Sequence, residues 1–333
     1  MVINLAGLDT KDFCESKTEV TIGGGVIIRD LVSAAYDNDV QVLTGNCNCV
    51  GVLGAALGGG YSRLQGTYGL GIDNFKSMNL VTPEGELIHV TPKKKDLWFA
   101  LRGAGANFGI VTSATLKTYP VPRENNGAWL GPLIFKEDKI EAIIETMNNL
   151  EMKPPMAIFL YFTAVPNVGP AVIVFPFHLG GSKKDYRSAF ADILDLGPVA
   201  NQIEWQPYNI MNAGSEPFCI RGGRKPAFGA GLSRMDPCAV REIWNEYSKF
   251  VKNPGTNQTA VLMEKYPLEK AKSFGDGSAA YPFRASLEWL AVAIPWYEDT
   301  RLDEKAEEFG SKIRQLWRST SGFQEDRTWV HPL

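Results

Sequence analysis

Histidine is scarce in this chain. His89, His178 and His331 are the three in 333 residues, and none falls at a spacing that suggests metal ligation or a nucleophile–base pair. Cysteine is sparse too. Its count of five is odd, so at least one thiol is unpaired within the chain. Cys47-Asn-Cys49 does not match the usual zinc spacing, and no second Cys/His pair lies near it in sequence, so no metal is expected. Cys14, Cys219 and Cys238 are scattered and read as structural or incidental. Basic excess is lacking: 34 Lys and Arg against 37 Asp and Glu give a net charge of -3, which argues against a nucleic-acid groove. No apolar run approaches the ~20 residues that span a bilayer, so no membrane partner is expected. Met1-Val2-Ile3-Asn4-Leu5 lacks the basic start and long apolar core of a signal peptide, and the compartment stays open. The chain shows no internal repeat and no low-complexity tract.

What the chain has is glycine in one place. Residues 45–60 read Gly-Asn-Cys-Asn-Cys-Val-Gly-Val-Leu-Gly-Ala-Ala-Leu-Gly-Gly-Gly. Such a run lets the backbone approach a ligand closely. Its N–H groups can cradle an anion or a polar ring edge, and Cys47 adds a thiol at its mouth. Before it, residues 18–22 read as a strand, Ile28, Leu31, Val32 and Ala35 recur at helical spacing, and 40–43 is a short strand. After it, 78–90 read as a hairpin turning at Pro83-Glu84-Gly85. A helix capped by Asp96 stops at Gly103, and Ile110 to Lys117 alternates as a strand. Pro120, Pro122 and Asn125-Asn126-Gly127 then punctuate the chain, dividing it into 1–122 and 123–333. The second part predicts a helix at 137–150, strands at 156–163 and 170–177 and a helix at 182–195. Further helices at 239–251 and 302–318 flank a strand at 284–294. That order predicts an α+β layer, an antiparallel sheet flanked by helices.

Two glycine clusters are turns. Gly103-Ala-Gly105-Ala-Asn-Phe-Gly109 is one residue too long for a dinucleotide fingerprint and runs from helix to strand, the reverse of the required order. Gly180-Gly181-Ser182-Lys183 precedes a helix cap. Asn257-Gln258-Thr259 is a glycosylation sequon, meaningful only on a secretory route.

Five motifs occur in order. They are Cys47-Asn-Cys-Val-Gly51, Leu57-Gly-Gly-Gly60, Gly69-Leu-Gly-Ile-Asp73-Asn74, Asp96-Leu-Trp-Phe-Ala-Leu-Arg102-Gly-Ala-Gly and Asn107-Phe-Gly-Ile-Val-Thr112. Together they resemble the second half of the FAD domain of berberine-bridge-enzyme-like oxidases, within the vanillyl-alcohol-oxidase superfamily of PCMH-type flavoproteins. Cys-Asn-Cys resembles the fungal members, many linked to secondary metabolism. Ala280-Tyr-Pro-Phe-Arg284 resembles a segment of their substrate domain. The resemblance implies a partial FAD-binding domain over 1–122, its second α/β subdomain, followed by a substrate domain over 123–333.

It also implies a cofactor and a site. FAD would lie with its ring facing the substrate domain. Cys47 matches the cysteine that bonds the flavin ring in bicovalent members, although Asn48 and Cys49 replace their usual Pro-Thr. Val50, Gly51, Gly54, Gly58 and Gly59 would let the backbone reach the ring, and Ile110 and Val111 would touch FAD through their backbone. Asp73 and Asn74 read as turn caps. Hydride abstraction needs a base on the substrate side. Arg284, Ser286, Glu288 and Leu290 alternate onto one strand face, and Glu288 is the candidate, with Tyr161 and Tyr281 as alternatives. Trp205, Tyr208, Trp289 and Trp296 are candidate pocket walls.

Two family segments have no counterpart in the sequence: the loop that binds the pyrophosphate and supplies a histidine attachment, and the C-terminal return strand. The expectation is a product truncated at both ends, with an exposed half-domain for a protein partner to cover. The central reading is an FAD-linked oxidoreductase acting on a small organic metabolite, with O2 as acceptor. A non-catalytic or partner-dependent remnant and a pericyclic ring-closing enzyme stand beside it.

Overall fold

The computed structural model describes residues 2–165, 169–284 and 287–323. Two antiparallel sheets organise them. The first has six strands, in the order Lys11–Phe13, Glu19–Gly23, Ile110–Pro120, Phe75–Val81 and Leu87–Val90, with Val40–Val42 pairing the far end of Ile110–Pro120. The predicted hairpin pairs Val81 with Leu87. The Ile28–Asp37 helix buries Ile28, Leu31, Val32 and Ala35, as its spacing predicts. The predicted helix spans Lys95–Ala104, so Asp96 lies inside its first turn and does not cap it, Lys94 holding the cap position; helical geometry is lost at Arg102 and Gly103. Gly103 adopts φ +133°, and a Cβ there would lie 2.2 Å from Tyr281 N. Only glycine satisfies both conditions.

The second sheet has nine strands, all from residues 127–294. Met156–Val165 and Gly169–Leu179 form its central hairpin, and Ala260–Lys265 and Trp289–Ile294 extend it. Side chains alternate across each strand. Ile158, Leu160, Phe162, Val261 and Met263 face a core built with helices Ile140–Asn149, Pro237–Phe250 and Asp303–Ser319. Ala157 and Phe159 face the other way and join the core of the first layer. The expected α+β architecture is therefore present, with helices on one sheet face and the glycine-rich layer on the other. No described helix is long and apolar enough to cross a membrane.

Two predicted elements differ. The helix at 182–195 breaks at Phe190 into Lys183–Ala189 and Ala191–Asp195; Ser182, in the turn read as preceding a helix cap, caps the first of them together with Asp185. The strand read as 284–294 begins only at Trp289. Arg284 precedes it with its side chain fully buried, and Ser286 lies outside the described residues. The Ala260–Lys265 strand was not anticipated.

Candidate functional site

The Gly45–Gly60 loop is clamped on both sides. Ile28 N donates to Val50 O at 2.9 Å and Val52 N to Val26 O at 3.0 Å. Buried Asn48 donates to Glu216 Oε1 at 2.6 Å, and Arg29 Nη2 to Glu216 Oε2 at 2.6 Å. A disulfide joins Cys49 to Cys219 across a sequence separation of 170 residues. Of the two readings of Cys219, structural or incidental, the bridge makes it structural: the fold brings it to the loop, which linear spacing does not reveal. Cys47 keeps a free thiol, 3.6 Å from Cys49 Sγ and 3.8 Å from Cys219 Sγ. The three sulfurs thus form one cluster, within 4.8 Å of one another. Thiol titration of the denatured, unreduced, flavin-free chain is expected to find three groups, Cys14, Cys47 and Cys238, and five after reduction. Cys219→Ser is expected to cost about 2–5 kcal/mol by opening a long loop, read as a drop in the urea midpoint.

The loop glycines divide into two kinds. A Cβ on Gly51 or Gly54 would meet nothing within 4 Å, and one on Gly58 only Ala55 O at 3.8 Å. Packing within the chain therefore does not require these glycines. Gly59 is different. It adopts φ +134°, and a Cβ there would lie 2.9 Å from the Tyr281 ring, so the protein itself fills that space. Val50 is exposed. Val111 is buried in the first-layer core, and Ile110 is half-buried at the head of its strand, opposite Val81.

Cys47 borders a cavity of about 240 Å³ between loop and second sheet, lined also by Asn46, Arg63, Tyr161, Phe175, Phe218, Leu262 and Glu264. Strand alternation explains this set. Leu262 and Glu264 share the face opposite Val261 and Met263, and Leu262 pairs with Tyr161. Most of the wall is apolar, which excludes water, and the few polar groups converge. Tyr266 donates to Glu264 Oε2 at 2.7 Å. Asn46 Nδ2 donates to the Tyr266 oxygen at 2.7 Å. Arg63 is buried, with Nη1 on Met211 O at 3.2 Å and Asn212 Oδ1 at 2.5 Å, and its guanidinium 5.1 Å from the Phe159 ring centroid.

Burial sets the proton affinities here. It pushes Glu264 above the usual carboxylate range, against the Tyr266 hydrogen bond and the Arg63 charge, which lower it. Burial and then the Glu264 charge push the Tyr161 and Tyr266 hydroxyls upward as well. A carboxyl raised towards neutral pH, beside phenols that stay protonated, is an arrangement suited to general-base work.

The predicted base is not part of this set. Glu288 is exposed, with its N–H on Leu232 O at the sheet end, before the Trp289 strand starts. It shares the parity of the cavity face but is not among the residues that line the cavity. Tyr281 packs over Gly59 and donates to Tyr61 at 2.9 Å, away from the cavity, whereas Tyr161 does line it. Of the predicted aromatic walls, Tyr208 and Trp289 are core, and Trp205 packs on Trp129 at 5.8 Å. Trp296 lines a smaller neighbouring cavity that shares Phe218 and Ile294 with the main one. Glu264 and Arg63 were missed. A charged residue three positions after the glycine run, and a carboxylate at the end of an apolar stretch, were the available signals.

Residues 1–91 match the FAD binding domain family. An FAD-linked oxidoreductase of Pyricularia oryzae is 30% identical over 331 residues, which is 97% of this chain and 65% of that protein. The chain thus spans less than two thirds of that relative. An FAD-linked oxidoreductase of Aspergillus fumigatus is 30% identical over 332 residues, 95% of this chain and 70% of that protein. Among solved structures, a berberine-bridge-enzyme-like protein of Arabidopsis thaliana superposes with a TM-score of 0.84 at 15% identity, covering 99% of this chain and 70% of that one. At that identity the likeness speaks for the fold alone.

Proposed function

The chain belongs to the berberine-bridge-enzyme-like, PCMH-type FAD-linked oxidoreductases, and from that membership we propose that it oxidises a small organic metabolite, using Glu264 as general base and O2 as the final acceptor. The observation that carries this reading is Glu264 itself. It is a carboxyl with raised proton affinity, held by Tyr266 in an apolar cavity that Cys47 borders. The loop fits the cofactor: Gly51, Gly54 and Gly58 leave open the space that side chains would fill, and Cys47 offers a free thiol beside them. Bound FAD would supply the hydride acceptor.

The side chains supply the rest. Glu264 accepts the proton of a substrate hydroxyl or amine as the adjacent C–H bond gives up its hydride. Tyr161, which burial keeps protonated, donates to the substrate heteroatom and orients it. Arg63 places a fixed positive charge near the carboxylate, which favours its charged form. The apolar walls keep water out and strengthen each of these interactions.

Absorbance from 350 to 500 nm, before and after acid precipitation, tests the cofactor assignment. Flavin bands are expected to stay with the precipitated protein and to move to the supernatant in Cys47→Ala. A colourless protein would remove the oxidase reading from this chain. Product mass separates oxidation, which removes two hydrogens, from ring closure, which leaves mass unchanged.

A further inference from the structure

Asn46 stands one residue before Cys47 and bonds in two directions. Its Oδ1 accepts from Arg63 N at 3.0 Å, and its Nδ2 donates to the Tyr266 oxygen at 2.7 Å. We propose that Asn46 is a positioning residue for Glu264, acting through Tyr266 to fix which carboxyl oxygen takes up the proton. This rests on the reading of Glu264 as base.

A backbone N–H can only donate, so Arg63 N fixes the Asn46 carbonyl on its own side and the amide NH2 towards Tyr266. The amide has no acceptor to offer there. The Tyr266 oxygen therefore receives a hydrogen bond from Asn46, and its own proton turns to Glu264 Oε2, at 2.7 Å. A phenol held in this way cannot rotate to accept from a protonated Oε2 without breaking the Asn46 bond. Proton uptake thus falls on Oε1, and the carboxylate keeps a donor on Oε2 in both protonation states. The other groups that act on Glu264 are the Arg63 guanidinium, from the loop after the glycine run, and the Tyr161 hydroxyl on the neighbouring strand; the Cys47 thiol borders the same cavity. None of these replaces the Tyr266 donor. The relay also ties the loop that carries Cys47 to the strand that carries the base, so the two halves of the site share one alignment.

Asn46→Asp inverts the relay. A carboxylate facing Tyr266 accepts the phenol proton, strips Glu264 of its donor and adds a like charge. Asn46→Ala removes the lock without adding charge. The readout is the infrared C=O stretch of protonated Glu264, identified as the band lost in Glu264→Gln and followed against pH in the intact chain. Asn46→Asp is expected to raise the midpoint by about 1–2 pH units and Tyr266→Phe by about 1, with a smaller rise for Asn46→Ala. Because Asn46 acts through Tyr266, adding Asn46→Ala to Tyr266→Phe is expected to leave the midpoint where Tyr266→Phe put it. Equal shifts for Asn46→Ala in both backgrounds, or an unmoved midpoint in Asn46→Asp, would overturn the relay. The infrared titration needs neither flavin nor substrate. If Glu264→Gln oxidised substrate at the unaltered rate, the base assignment would fall while the coupling could still be measured.

Discussion

Glu264→Gln is expected to slow flavin reduction by about 10²–10⁴-fold, the usual contribution of a positioned base, while flavin content stays unchanged. Glutamine keeps the shape of the side chain and can still accept from Tyr266, so the cavity is not emptied. What it loses is the capacity to take a proton. The measurement is anaerobic stopped-flow bleaching of the oxidised flavin by the substrate. Reduction within tenfold of the unaltered rate would sink the assignment. The pH profile gives an independent sign. Burial raises the proton affinity of Glu264, so the base is disabled as pH falls through that raised value, and the rate falls with it. The acid limb is expected to vanish in Glu264→Gln. Glu288→Gln serves as the control. That side chain is exposed at the sheet end, and its removal is expected to leave the rate within about twofold, as surface substitutions away from a site do.

The contrast between these two carboxylates shows where sequence reading stops. The amphipathic helices were legible because their apolar positions repeat every three or four residues, and Ile140, Ile143, Ile144 and Met147 are all buried as read. The hairpin of Phe75–Val81 with Leu87–Val90 was legible from its turn residues. Ala260–Lys265 was not. It is an inner strand between Met156–Val165 and Trp289–Ile294, with one face on the helices and the other on the cavity. Apolar residues therefore run almost unbroken, and the period-two signal that marks a half-exposed strand is lost. Glu264 ends that run, just before Lys265. The glycine loop was found through its composition and its family motifs, which are local. The Cys49–Cys219 bridge and the Asn46–Tyr266–Glu264 relay join segments about 170 and 220 residues apart. No local pattern encodes such meetings; the topology of the two sheets produces them.

Arg284→Met is expected to cost about 3–5 kcal/mol, because it leaves a carboxylate in the interior without its counter-charge. Both side chains of the Arg284–Asp73 pair are 0% exposed, and their contact is 2.7 Å. Exposed pairs such as Arg301–Asp299 are screened by water and contribute about 0–1 kcal/mol. Asp73 also accepts from Leu70 N at 2.9 Å, which agrees with its reading as a turn cap, and Arg284 donates further to Ala271 O at 3.1 Å. The pair therefore ties the Gly69–Asn74 segment to the Ala280–Arg284 segment, and the latter places Tyr281 over Gly59. Urea denaturation is the test: a lower midpoint at unchanged slope reports lost stability rather than a changed unfolded state. Asp73→Asn is expected to be comparably costly, since it strands the guanidinium. The double variant Asp73→Asn with Arg284→Met is expected to recover part of the loss, because neither charge is then left alone. A single variant within about 1 kcal/mol of the unaltered chain would show that water reaches the pair. If the loss is as large as expected, flavin retention should fall in parallel, since the turn that supports Gly59 would loosen with the ion pair that anchors it.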